Sequence, residues 1–274
     1  MQVQKSIDWI SFSFKCKPKN LWLWEDDCEM EASRKPHYQT RYSLRNGVQI
    51  FTSESKTQGN LCIMAGQAMQ QLRDAGTSDI GIIANCAEQA KNFTRLDYAI
   101  DIIDDRVDLA DITGGIKYGW CPNIGGKSVR HIEGLQNDQG HTIYIGSRSS
   151  EIMLRAYDKA VEHKVRGISW ARLELELKRN RARQFAHLAL NANSITQGDS
   201  IMVGFADLRK CASWIDDALK DVVAGKLEAI QRKQSDYGAW LNQVLNSIKK
   251  RANDPANHAD IAYFRTRLNE IELI

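Results

Sequence analysis

No Cys-x-x-Cys pair occurs in the 274-residue sequence; its six cysteines stand apart at Cys16, Cys28, Cys62, Cys86, Cys121 and Cys211. That spacing excludes zinc ribbons and thioredoxin-type chemistry and predicts free, reduced thiols. No run of about 18 apolar residues is present, and the opening MQVQKSIDWISFSFK lacks the apolar stretch of a secretory leader. The expectation is a cytoplasmic protein with no membrane partner. The six histidines show no HxH or HExxH pattern, which excludes a histidine-cage nuclease or a zinc protease. Gly125-Gly126-Lys127-Ser128 ends like a P-loop, but Cys121 stands where its first glycine belongs, so an NTPase is rejected. Internal repeats and low-complexity tracts are absent too. Net charge is only +3, so bulk electrostatics announce no nucleic-acid partner.

What is present is ordinary in bulk and distinctive in detail. Hydrophobic residues make up 43% and charged residues 26%, enough for a large core. Strands are predicted at 7–14, 48–52, 60–64, 94–103, 141–146, 152–159 and 168–178, from alternation and β-forming residues. Asn46-Gly47 marks a hairpin turn. Residues 17–46 read as polar and irregular apart from Leu21-Trp22-Leu23-Trp24, and 122–140 as a loop or short ribbon. Helices are predicted at 66–75, 78–92, 108–117 and 181–190, then at 203–224, 226–250 and 257–272. This grouping predicts an α+β fold, an antiparallel sheet with helices on one face over residues 1–197, followed by a helical C-terminal region, 198–274.

Side chains of a strand alternate between faces, so each strand is two lists. One face of 95–102 carries Arg95, Asp97, Ala99 and Asp101; one face of 172–178 carries Arg172, Glu174, Glu176 and Lys178. The strand 154–159 offers Arg155, Tyr157 and Lys159 on one face. If the three are neighbours, their polar rows gather four carboxylates, one tyrosine and five cations on one surface. A charged sheet face stabilised by cross-strand pairs is the plain reading of any one row. Aspartate, however, is depleted in strands, and two at i and i+4 need a reason. Facing Asp and Glu suit a hard cation such as Mg²⁺ or Mn²⁺. Tyr157 alone among the tyrosines has same-face cations two residues away on either side, which would favour its phenolate. Gly146–Ser150 offers hydroxyls and Arg148 in a short turn between strands, which suits a phosphate or merely closes a hairpin. Nine Lys/Arg against five acids in 151–183 make this stretch locally basic. A glycosidase carboxylate pair stays formally open, although oxocarbenium chemistry has no use for the surrounding cations.

Four segments, TRLDYAID (94–101), TIYIGSRSS (142–150), LRAYDK (154–159) and WARLELE (170–176), resemble in order and spacing the replication initiation factor family of Rep_trans type, found in rolling-circle plasmids, filamentous phages and integrative elements. Ile7-Asp8-Trp9 and Ile63–Gly66 are similar to further family segments, so the resemblance spans about residues 5–190. It implies a nicking-joining enzyme on a palm-like antiparallel sheet with a relaxase-like (HUH), ferredoxin-like core, in the cytoplasm of a bacterial host. The family's nucleophile falls on Tyr157, assisted by Arg155 and Lys159. Its metal-binding acids fall on Asp97, Asp101 and Glu174, with Glu176 beside them, for Mg²⁺ or Mn²⁺. Phosphate holders would be Arg148, Ser147 and Ser149, with Arg95, Arg172 and Lys178 on the same polar rows. Trp9, Trp170 and basic residues at 178–183 would engage single-stranded DNA or serve the core. The implied partner is origin DNA, single-stranded or as a hairpin, with a host helicase and polymerase and a second copy of the chain left open. A conjugative relaxase and a non-catalytic DNA-binding regulator on the same fold are the alternative readings.

Overall fold

The computed structural model describes residues 1–55, 59–121, 124, 126–132 and 141–227. Ten strands form one antiparallel sheet: β1 (Gln2–Phe14), β2 (Glu29–Ala32), β3 (Thr40–Ser43), β4 (Gln49–Thr52), β5 (Asn60–Met64), β6 (Asn92–Ile103), β7 (Val129–Ile132), β8 (Thr142–Ile145), β9 (Ile152–Asp158) and β10 (Trp170–Lys178). Their order across the sheet is β2-β3-β4-β5-β1-β6-β10-β9-β8-β7. Helices are α1 (Gly66–Asp74), α2 (Asp79–Gln89), α3 (Leu109–Lys117), α4 (Lys159–Glu162), α5 (Asn180–Ala192), α6 (Gln197–Phe205) and α7 (Ser213–Leu219). The α+β antiparallel architecture expected from the sequence is the one observed.

The centre of the sheet follows the alternation. On β6, Leu96, Tyr98, Ile100 and Ile102 are buried on one face, and on β10 so are Leu173, Leu175 and Leu177. The packing helix is α5, whose Phe185 lies against Tyr98 with ring centroids 6.0 Å apart. Ser78 caps α2 by accepting from the Gly81 N–H, and Asp108 caps α3 by accepting from Ala110, which fixes where both helices begin. Gly47, at φ +80°, closes the β3–β4 turn that Asn46-Gly47 announced.

Differences from the sequence reading have local causes. The stretch 17–46 carries the short edge strand β2 and its neighbour β3, whose residues are exposed or half-exposed and so show no apolar periodicity. The strand predicted at 152–159 ends at Asp158, which caps α4 by accepting from the Val161 N–H, so Lys159 opens a helix. The helix predicted over 203–224 meets only the end of α6, which begins at Gln197, and α7, with 206–212 and 220–224 outside any helix. The expectation of six free thiols is corrected: Cys121 and Cys211 form a disulfide across 90 residues of sequence. No local motif marks a pair so far apart. Gly115 on α3 admits it, because a Cβ there would lie 2.6 Å from the Cys211 Cβ. Of the segments predicted helical at 226–250 and 257–272, all but residues 226 and 227, which are not helical, lie outside the described residues.

The compact unit runs from Met1 to Leu227. Helix α6, which follows the boundary read at 197, is fastened to the sheet. Asp199, 4% exposed, accepts a hydrogen bond from the Tyr98 hydroxyl at 2.6 Å and pairs with Lys5 at 2.5 Å. Gly198 makes this approach possible, since a Cβ there would meet Tyr98 ring carbons at 2.4 Å. Gly198→Ala is therefore expected to destabilise the domain by about 1–3 kcal/mol through overpacking. Urea unfolding checks this, and a midpoint equal to wild type would refute the contact.

Candidate active site

Strands β6, β10 and β9 are consecutive neighbours, and register puts their polar rows side by side. Across β10, Lys178 faces Arg95, Glu176 faces Asp97 and Arg172 faces Asp101; on its other side Glu174 faces Arg155 and Arg172 faces Tyr157. All four carboxylates named from the sequence are buried: Asp97, Asp101, Glu174 and Glu176. A cavity of about 880 Å³ opens over Asp97, Asp101 and Glu174, lined also by Trp9, Tyr157 and the glutamines of α1.

Burial of this many charges demands partners. Arg95 supplies one set, pairing with Asp97 at 2.5 Å and with Glu176 at 2.8 Å. Lys178 also pairs with Glu176 and donates to the Arg148 carbonyl at 2.7 Å. Arg155 pairs with one oxygen of Glu174, and the Tyr157 hydroxyl donates to the other at 3.1 Å. Arg172 bonds both oxygens of Asp101, at 2.8 and 2.6 Å, and reaches Asp8 at 2.7 Å. Trp170 adds a third donor to Asp101 at 2.8 Å. Lys159 pairs with Glu162 at 2.5 Å and lies 5.5 Å from the Tyr157 ring centre.

Electrostatics follow from this burial. The Asp97 carboxyl is pushed well above the usual carboxylate range, first by burial; Arg95 opposes this, while Glu174 and Glu176 add to it. Burial also pushes the Tyr157 phenol up, with Glu174 adding and Arg172 opposing. The expectation that the flanking cations favour the phenolate is thereby corrected: burial and Glu174 outweigh them and hold the phenol protonated, donating to Glu174.

The structure gathers Tyr157, Arg155, Glu174, Glu176, Asp97 and Arg95 into one cluster. It places Asp101 in a separate knot with Arg172. Among the described residues, no three acidic, histidine or cysteine side chains form a preformed metal cage. The donor set nonetheless suits a hard cation. Asp97 and Glu176 are oxygen donors facing each other across two strands, Glu174 is next along β10, and one guanidinium bridges the facing pair. Ser147 and Ser149 hydrogen-bond each other at 2.8 Å and the turn's backbone, so they shape the turn that carries Arg148.

Sequence reasoning passed over Asp8 as a partner of Arg172, and the orientation of Trp9. The register between β1 and β6 shifts between Ile7 and Trp9, a bulge that turns Trp9 to face Asp97. The Arg95 guanidinium lies 4.4 Å from the Trp9 ring centre. Strict alternation hides this, because it puts Trp9 on the same face as Ile7.

Residues 91–214 match the family model described as replication initiation factor. NicK of Bacillus subtilis (strain 168), named as a DNA relaxase, is 26% identical over 212 residues, 69% of this chain. The match spans 60% of that relative's length. The rolling circle replication initiator protein from Geobacillus stearothermophilus has a similar fold, with TM-score 0.62 and 18% identity, over 86% of this chain and 91% of that one. No described helix is long and apolar enough to cross a membrane. All four motifs that carried the resemblance fall inside the matched stretch, and the likeness of this chain to the replication initiation factor family is thereby established for residues 91–214.

Proposed function

We propose that this protein starts rolling-circle replication by nicking origin DNA through Tyr157. The observation that carries the reading is the Tyr157 hydroxyl, 3.1 Å from a buried Glu174 oxygen, in a cavity lined by arginines and acids on the face that holds the family motifs. That distance is within reach for proton transfer. Glu174 takes the phenolic proton as the Tyr157 oxygen attacks phosphorus. A phosphotyrosyl bond forms at the 5′ side, the bond to the 3′ oxygen breaks, and that oxygen takes a proton from solvent. The free 3′-OH then primes a host polymerase. Arg155 and Arg172 flank the phenol and offset charge on the transferring phosphoryl group. The phosphodiester bond energy is kept in the link, so rejoining needs no nucleotide triphosphate.

Asp97 and Glu176, with Glu174 beside them, are the residues that would hold Mg²⁺ or Mn²⁺. Such an ion would polarise the scissile phosphate. Arg95 must then leave the carboxylates it bridges, and the phosphate is a suitable new partner for it. Asp101 acts instead as the anchor of Arg172. Trp9 and Trp170, near the cavity, are candidate stacking surfaces for unpaired bases.

The test is to incubate the protein with a supercoiled plasmid carrying its origin and Mn²⁺. Open circles with covalently attached protein are expected, and mass spectrometry of the adduct should name Tyr157. Nicks without attached protein would instead indicate hydrolysis and sink the reading. The likeness to NicK favours a second reading, a relaxase for conjugative transfer with the same chemistry. A DNA-binding regulator would bind the origin and leave it intact.

A further inference from the structure

The polar face continues beyond Tyr157 onto β8 and β7, where the sequence singled out Arg148 for phosphate but neither Tyr144 nor Arg130. Cross-strand register extends one row outward: Glu174 faces Arg155, Arg155 faces Tyr144, and Tyr144 faces Arg130. Two guanidiniums converge on the Tyr144 ring. Arg130 lies 4.7 Å from its centre and Arg148 lies 5.1 Å from it. Both arginines are exposed, and neither has an acidic partner among the described residues. Two like charges drawn to one ring repel each other, and an anion between or beside them removes that cost.

Position adds to chemistry. A cleft of about 350 Å³ is lined by Tyr144, Arg155, Tyr157 and Lys164, with Asp158 and Glu162 also on its wall. Tyr157 and Arg155 also line the larger cavity, so the phenol stands between two openings. A strand whose scissile phosphate lies at Tyr157 must leave the large cavity on one side and can leave through this cleft on the other. The turn bearing Arg148 is stiffened by its serines, and its backbone is tied to Lys178 at the end of β10.

We propose that Tyr144 holds Arg130 and Arg148 as a clamp for a non-scissile phosphodiester of single-stranded DNA, on the cleft side of Tyr157. The inference rests on the nicking reading for its ligand. Stacked arginines keep their N–H edges free for phosphate, and the ring restricts where those edges point. Tyr144 is thus a positioning residue, and Arg130 and Arg148 are the contacts. The clamp is sequence-independent, since phosphate carries no base identity.

The experiment measures binding of a fluorescein-labelled oligodeoxythymidylate to the full chain across a salt series. Each phosphate contact on a single strand contributes about 0.7 to the slope of log affinity against log salt. Arg130→Ala and Arg148→Ala should each flatten the slope by about that amount and weaken binding roughly three- to tenfold. Tyr144→Leu should reproduce the loss with both arginines in place, and Tyr144→Phe should restore wild-type behaviour. Lys35→Ala, which removes a cation over Phe51 at the opposite edge of the sheet, should change nothing. Wild-type slopes in both arginine variants overturn the clamp, while the nicking assay still reports on Tyr157. Losses in the arginine variants with none in Tyr144→Leu overturn the positioning role. A wild-type chain that neither binds the oligonucleotide nor nicks its origin overturns the functional reading and the clamp with it.

Discussion

Tyr157→Phe is expected to abolish covalent capture of DNA while leaving the protein folded and able to bind its origin. The ring packs at 9% exposure between Arg155 and Lys159, whose charges lie 5.4 and 5.5 Å from its centre, and phenylalanine keeps that packing. What is lost is one hydroxyl and its bond to Glu174, which retains Arg155. The stability cost is about 1 kcal/mol. The catalytic cost is the whole nucleophile, and losses on the order of 10⁴ to 10⁶ in rate attend such removals. Among the described residues no second tyrosine takes its place: Tyr144 is the next along this face, and it lies one strand away under two arginines. Gel assays for protein-linked open circles give the readout. Equal nicking by the variant would end the assignment.

Glu174→Gln should bring the second-largest loss. This carboxylate is fully buried, and its two oxygens serve different partners, since one holds Arg155 and the other accepts from Tyr157. Glutamine keeps the volume and an acceptor oxygen but has no basic oxygen for the phenolic proton. Nicking should fall by about 10² to 10⁴, the usual worth of general-base catalysis. Origin affinity should stay near wild type, because the flanking cations remain. Asp97→Asn is expected to behave differently. It leaves the proton acceptor in place and removes an oxygen donor of the proposed cation site, so added Mn²⁺ should recover part of its activity. Full nicking by Glu174→Gln in single-turnover kinetics would assign the proton to another acceptor.

Much of this was legible because strands announce themselves by alternation. The rows of β6 and β10 could be written from sequence, since both strands are long, central and apolar on one side. Their adjacency was an inference from like patterns, and the observed register bears it out. What escaped was whatever breaks period two or lacks it. A bulge at Asp8 re-aims Trp9, and Asp158 ends β9 by capping a helix. The short outer strands β2 and β3 have too little buried surface to impose a pattern. Division of labour among the acids was equally hidden. Asp97 and Asp101 look equivalent in TRLDYAID, yet one meets Arg95 and the other is surrounded by Arg172 and Trp170. Only cross-strand partners, fixed by register, tell them apart.

The two-sided build of β6 and β10 also governs how such a gene can change. Deleting or inserting one codon within 92–103 or 170–178 would invert every side chain beyond it, sending Leu173, Leu175 and Leu177 into the cavity and acids toward Phe185. Each exposed leucine alone would cost about 1.5–3 kcal/mol. Strand lengths here are therefore frozen by core and chemistry at once. Indels among relatives should collect in the connections between strands, where they leave the parity of these rows untouched.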